Sequence, residues 1–142
     1  IDTLDYSGDG LNEGSKVVIA AAGEIKRDLA ISLTKLNLPD GFSTPRLVSN
    51  GNLILEGKGE LQDLFSSLEK QNLERIGLIT LVDDASFASK NFSNWIWVTF
   101  TRSNPANDIY GLNSKYINKH FSCSIPIIDA RIKLNHAPIL ER

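Results

Sequence analysis

Hydrophobic positions along this chain switch between two rhythms. Apolar runs occur at Lys16-Val17-Val18-Ile19-Ala20-Ala21-Ala22 and at Leu78-Ile79-Thr80-Leu81-Val82, a pattern that predicts strands buried on both faces. Gly23 breaks the first run, and Ile25, Leu29, Leu33 and Leu36 then recur at helical spacing until Pro39-Asp40-Gly41 stops them. Leu61, Leu64, Phe65 and Leu68 form a second helical stripe, predicted to end near Asn72. Pro45 and the Asn50-Gly51 turn signal beside Leu53-Ile54-Leu55 predict a short edge strand there. Ile109-Tyr110-Gly111-Leu112 and Ile125–Ala130 read as further strands. The glycine-rich stretch 7–15 and the polar stretch Asn113–Ser124 read as loops.

The segment Asn94–Arg102 carries both rhythms. Its aromatic and β-branched content favours a strand. Phe92, Trp95, Ile96, Thr99 and Phe100 nevertheless share one helical face, with Ser93 or Asn94 placed to cap it, so the residues alone leave strand and helix open. Strands alternating with helices predict an α/β layered domain, with a mixed, mostly parallel sheet flanked by helices.

Composition narrows the function classes. With 142 residues, 42% of them hydrophobic, the chain can bury one core, and residues 1–142 read as a single domain. Its 15 basic and 17 acidic residues form no basic block that would mark a nucleic-acid surface. The lone Cys123 excludes an internal disulfide and a cysteine-based zinc site. No apolar run approaches the roughly 20 residues of a membrane helix, and no signal peptide is visible. The expected location is the cytoplasm. The chain has no Met and starts within a strand-like alternation at Ile1-Asp2-Thr3-Leu4-Asp5-Tyr6, as a piece of a longer polypeptide would.

Asp83 and Asp84 end an apolar strand, the position where α/β proteins place ligands. Two readings follow. One aspartate can cap the next helix while the other pairs with a cation; alternatively, the two hold magnesium, as paired acids do in a signalling module with phosphoryl chemistry. Arg102 precedes Pro105, which disfavours helix at Asn104, so the guanidinium can be held against Asp83 or Asp108. It would serve there as a structural clamp or as an anchor for a substrate acid. His120 and His136 lack metal-ligand spacing, Gly57-Lys58-Gly59 lacks the flanking pattern of a phosphate loop, and there is no Gly-x-Ser-x-Gly elbow. No self-sufficient active site is legible. Trp95 and Trp97 cannot both face one core from a helix, so either one of them is a candidate for contact between protomers or both are buried between the sheet and the following loop.

The order of these features resembles the C-terminal region of the UbiD family of decarboxylases, the 3-octaprenyl-4-hydroxybenzoate carboxy-lyases. The resemblance is carried by the strand ending in Asp83-Asp84, by Trp97, and by Thr101-Arg102-x-x-Pro105-x-x-Asp108. Tyr110-Gly111-Leu112-Asn113-Ser114, Asn118-Lys119-His120, Ile128-Asp129-Ala130-Arg131-Ile132-Lys133 and His136-Ala137-Pro138 follow in the same order. It is most specific over residues 77–135, and it favours helix for Asn94–Arg102, which we adopt. Residues 1–22, through Leu4-Asp5-Tyr6 and Gly14-Ser15-Lys16-Val17-Val18, look like the end of a preceding unit of the same kind, and residues 23–76 match as an insertion. Ser103-Asn104 and Asn107 depart from the common pattern.

The resemblance implies a C-terminal domain that supports oligomeric assembly in a decarboxylase of aromatic or α,β-unsaturated acids, a family common in ubiquinone and menaquinone biosynthesis. Such enzymes use prenylated FMN with a divalent metal (Mn or Mg) and K. Their cofactor ligands and catalytic set belong to upstream domains, and none of those motifs occurs here. The implied partners are therefore the remaining domains of the parent chain and further copies of it. No catalytic, cofactor-binding or metal residue is carried over. Asp83, Asp84, Trp97, Arg102, Pro105, Asp108 and Asp129 are expected in structural roles.

Overall fold

The computed structural model of the chain describes residues 16–20 and 22–134. The strand-like start at Ile1–Tyr6, the 7–15 loop and the His136-Ala137-Pro138 motif lie outside the described residues. Strand β1 (Phe42–Ser49) turns through Asn50-Gly51 into β2 (Asn52–Gly57). The two pair antiparallel with Ser49 opposite Asn52, so the turn signal sets the register. Helix α1 (Leu61–Leu68) carries the chain back to β3 (Leu78–Val82), which lies parallel to β2. Two short helices, α2 (Ala85–Ala88) and α4 (Pro105–Asp108), flank the longer α3 (Phe92–Thr101). Then come β4 (Ile109–Leu112), a hairpin of β5 (Lys115–Ile117) and β6 (His120–Ser122), and β7 (Ile125–Asp129).

The main sheet runs β1-β2-β3-β7-β4. Its three central strands are parallel, and each edge strand is antiparallel to its neighbour. The α/β layered class therefore holds. Leu53, Leu55, Ile79, Leu81 and Ile127 point to one face, where Leu64 and Leu68 of α1 cover them. Ile54, Val82 and Ile128 point to the other, under Ala85, Ala88, Trp95, Val98 and Phe100 of α2 and α3. Covering both faces is what lets Leu53-Ile54-Leu55 be apolar without alternation, all three being fully buried. Among the described residues, no helix is long and apolar enough to cross a membrane.

Several sequence expectations change here. Residues 16–20 are not a buried strand: Val18 is 85% exposed and Ile19 58%. Leu29, Leu33 and Leu36 do not lie on a helix but on an irregular strip laid along the core. The backbone of that strip is bonded elsewhere, since Ala30 donates to the Arg75 carbonyl and accepts from Gly51 N–H, both at 2.8 Å. Spacings of three and four residues let a strip reach a core without helical hydrogen bonds. The short edge strand expected at Leu53–Leu55 is interior. The edge belongs to β1, which accommodates Pro45 at a register shift between Ser43 and Arg46, with Thr44 at φ 53°. The 113–124 loop contains the β5–β6 hairpin. The segment Asn94–Arg102 is helical as read, but α3 starts earlier, capped by Asn91, whose side chain accepts from Asn94 N–H at 2.8 Å. Trp95 is buried and Trp97 half-buried.

Candidate functional site: a charge network at the strand ends

Each of the three parallel strands runs out of apolar residues at its C-terminal end and meets a carboxylate there: Glu56 in β2, Asp83 after β3 and Asp129 in β7. The connection from β2 to β3 and the path from β3 to β7 cover opposite faces of the sheet. The ends of β2, β3 and β7 lie side by side and flank a crevice at the carboxyl end of the parallel strands, the end at which open α/β sheets bind ligands. It is lined by Lys58, Asp83, Asp129, Arg131, Ile132 and Lys133.

Asp83, Asp129, Arg131 and Lys133 in this crevice each have a charged or hydrogen-bonded partner. Arg131 donates through Nε to Asp129 Oδ1 at 2.9 Å and through Nη2 to Oδ2 at 2.8 Å, and Nη1 donates to the Gly59 carbonyl at 2.9 Å. Its guanidinium also lies 5.9 Å over the Phe42 ring. Lys133 Nζ donates to the Asp129 carbonyl at 2.7 Å and stands 3.4 Å from Asp108 Oδ1. Burial alone would push the Asp129 carboxyl up. The Arg131 hydrogen bonds and the Lys133 charge outweigh it and hold the group below the usual carboxylate range. The hydrogen bond to Asp129 in turn raises Arg131. Burial raises the Tyr110 hydroxyl, and the charges of Asp108 and Asp129 raise it further.

The paired aspartates have separate partners. Asp84 caps α2, its Oδ1 accepting Phe87 N–H at 2.8 Å. Asp83 Oδ2 accepts Ile132 N–H at 2.7 Å and lies 3.9 Å from Arg102 Nη1. Glu56 accepts Ala85 N–H at 2.9 Å, fastening the turn after Asp84. Arg102 therefore faces Asp83, whereas Asp108 faces Lys133. The buried Nε of Arg102 has no hydrogen-bond partner among the described residues.

The Thr-Arg-x-x-Pro-x-x-Asp motif has a local physical logic. Pro105 occupies the first turn of α4, where a missing N–H costs nothing. Asn104 Oδ1 accepts from Ala106 N–H at 3.1 Å, and Asn104 N–H donates to Asp108 Oδ2 at 2.6 Å. Upstream, Thr101 and Ser103 turn their hydroxyls back onto the Trp97 and Thr99 carbonyls, both at 2.6 Å, at the end of α3. The motif thus closes α3, starts α4 and presents Asp108 to Lys133.

Asp83, Arg102, Asp108 and Asp129 come together at one edge of the sheet. Asp84 and Pro105 act on helix ends, and Trp97 packs beside the Trp95 layer. Sequence reasoning does not place Arg131, Lys133 or Glu56 in the network. The alternation Asp129-x-Arg131-x-Lys133 at a strand end is the signal that could have found two of them. Among the described residues, no three His, Cys, Asp or Glu side chains are grouped to hold a metal ion. Chemically, the arrangement neutralises its own charges and pins residues 130–134 across the ends of β3 and β7.

No family model matches the chain, and no solved structure matches it. Among curated proteins it is 31% identical over 149 aligned residues to a 4-hydroxybenzoate decarboxylase subunit of Chlamydia pneumoniae, covering 99% of this chain and 24% of that protein. It is also 36% identical over 127 residues to an uncharacterized protein of Chlamydia trachomatis serovar D and 35% identical over 127 residues to one of Chlamydia muridarum, each covering 89% of this chain and 22% of the relative. The chain spans less than a quarter of the length of these relatives, and the named one among them is a decarboxylase subunit.

Proposed function

We propose that this chain is the C-terminal assembly domain of a UbiD-like decarboxylase of aromatic or unsaturated acids, inactive by itself. The observation that carries the reading is the similarity to the 4-hydroxybenzoate decarboxylase subunit, which runs through 99% of this chain yet occupies 24% of that protein. The charge network supports the same view. Its cations and carboxylates hold a chain segment in place, as a scaffold requires, and Arg102 serves as a clamp on Asp83. Two elements of the family pattern, the capped turn at Asn104–Asp108 and the strand ending in Asp129, shape that scaffold.

Prenylated FMN, a divalent metal and K would be held by the other domains of the parent enzyme. The described residues do not fit such groups. The crevice carboxylates Asp83 and Asp129 are committed to Ile132 N–H and Arg131, and no metal-type cluster accompanies them among the described residues. The partners in this reading are the remaining domains and further copies of the same polypeptide.

The test is turnover. The native-length protein, loaded with prenylated FMN and Mn, is expected to release carbon dioxide from 4-hydroxybenzoate or a related acid, and the 142-residue chain alone is expected to release none. Decarboxylation by the isolated chain, or a native-length protein inactive on every aromatic and unsaturated acid tried, would overturn the reading.

A further inference from the structure

The turn between β1 and β2 is Asn50-Gly51, and its two residues differ in access to water: Asn50 is exposed and Gly51 is buried. Asparagine followed by glycine is open to a reaction of the chain with itself. The glycine amide nitrogen, with no Cβ beside it to hinder approach, attacks the asparagine side-chain carbonyl carbon, Cγ. The N–Cγ bond forms, the Cγ–Nδ2 bond breaks, and Nδ2 leaves as ammonia with the amide proton, so that a succinimide ring remains. Water then opens the ring at one of its two carbonyls. Opening at Cγ gives aspartate. Opening at the main-chain carbonyl gives isoaspartate, whose backbone runs through the side-chain methylene.

In this fold a segment distant in sequence stands in the way. The attacking atom, Gly51 N, donates a 2.8 Å hydrogen bond to the Ala30 carbonyl, and the Gly51 carbonyl accepts from Gly77 N–H at 2.8 Å and Leu78 N–H at 3.3 Å. Leu29 and the Arg75 carbonyl close in so tightly that a Cβ on Gly51 would lie 2.9 Å from each. While the bond to Ala30 stands, the nitrogen neither turns onto Cγ nor gives up its proton. The guarding strip is itself thinly attached. Ala30 N–H donates to the Arg75 carbonyl at 2.8 Å. The other ties come from exposed arginines: Arg75 Nε and Nη2 donate to the Asp28 and Leu29 carbonyls, both at 3.4 Å, and Arg27 Nη2 donates to the Ile76 carbonyl at 3.3 Å. Residues 22–28 are all exposed and belong to no helix or strand. Segments of this kind open locally at a free energy well below that of global unfolding. We infer that Asn50 is a deamidation site gated by the 28–30 strip, closed while the strip is docked and converted to aspartate or isoaspartate when it lifts. Isoaspartate adds a methylene to the main chain between residues 50 and 51, which moves Gly51 N–H away from Ala30 and keeps the strip from docking again. This inference does not depend on the decarboxylase reading.

The test is the rate of conversion in the native-length protein, incubated at mildly alkaline pH and sampled over time. Trypsin releases Asn50 within the peptide Leu47–Lys58. Conversion raises its mass by the difference between water and ammonia, and fragmentation separates Asn50 from Asn52. The synthetic peptide of the same sequence supplies the unguarded rate, and the folded wild type is expected to convert at least about tenfold more slowly. R27A/R75A removes three hydrogen bonds of the strip and is expected to raise both conversion at Asn50 and amide exchange at Gly51 by about tenfold. Both side chains are exposed, and a circular dichroism melt checks the fold, with R75A alone as the milder variant. A wild-type rate equal to that of the peptide overturns the inference, because the strip then guards nothing. Equal rates in the wild type and the variants overturn it as well, whether or not exchange at Gly51 rises.

Discussion

Arg131 grips Asp129 with two parallel hydrogen bonds, at 2.9 and 2.8 Å, while its third nitrogen reaches back to the Gly59 carbonyl. Residues two apart at the end of β7 are thereby tied to the loop that leaves β2. The Asp129 side chain is 4% exposed and that of Arg131 16%, so removing one partner leaves the other charged and largely out of water. Asp129→Ala is expected to cost about 3 kcal/mol of unfolding free energy, read from urea denaturation. Arg131→Lys keeps the charge but loses the fork, and is expected to fall between the wild type and Asp129→Ala.

Acid should act through the same pair. The Asp129 carboxyl titrates below the usual carboxylate range in the folded chain, so folding favours its ionised form. The resulting stability is fully present above the ordinary carboxylate range and is lost as pH falls through the depressed one. Thermal midpoints measured from neutral pH downward should decline below about pH 4. Asp129→Asn, less stable at neutral pH, should show a shallower decline. Parallel curves for the two proteins would remove Asp129 from the account of acid sensitivity.

Trp95 crosses from α3 to the sheet and donates its indole N–H to Thr80 Oγ1 at 3.0 Å, with both residues buried. Thr80→Val keeps the shape and strands the indole donor, at an expected cost of about 2 kcal/mol. Thr80→Ser, which retains the hydroxyl, should recover part of it. Equal stability for the Val and Ser variants would mean that the hydrogen bond contributes nothing.

Gly51 joins three segments. Its φ is +64°, its N–H donates to the Ala30 carbonyl, its own carbonyl accepts from Gly77 N–H, and a Cβ would lie 2.9 Å from both the Arg75 carbonyl oxygen and Leu29 Cβ. Gly51→Ala is expected to cost about 2 kcal/mol or more through backbone strain and displacement of the 28–30 strip. Amide exchange at Ala30 should accelerate, and unchanged exchange there would argue against the coupling.

Local rhythm made much of this fold legible. Leu61–Leu68, Leu78–Val82 and Ile125–Asp129 each carry a pattern matched by the element they form, whereas residues 94–102 carry both rhythms and only the family resemblance favoured the helix found there. One miss has a cause distant in sequence. Leu29, Leu33 and Leu36 have helical spacing, but the backbone at Ala30 is bonded to Arg75 and Gly51. Val17-Val18-Ile19 has the composition of a buried strand, yet Val18 and Ile19 are exposed. The 115–122 hairpin was hidden for a local reason: its turn is Asn-Lys rather than Asn-Gly, and its strands are only three residues long and exposed. At the site, the sequence placed Asp83, Arg102 and Asp108 near one another. It could not pair them, because Asp108 finds Lys133 across the fold while Asp83 takes both Arg102 and the Ile132 amide.

The claim that this chain works as one domain of a larger decarboxylase is tested most directly by the mass of the native polypeptide in its source cells, detected with an antibody raised against residues 16–134. The account predicts a band several times larger than 15.7 kDa. A band at 15.7 kDa with no larger species would contradict it.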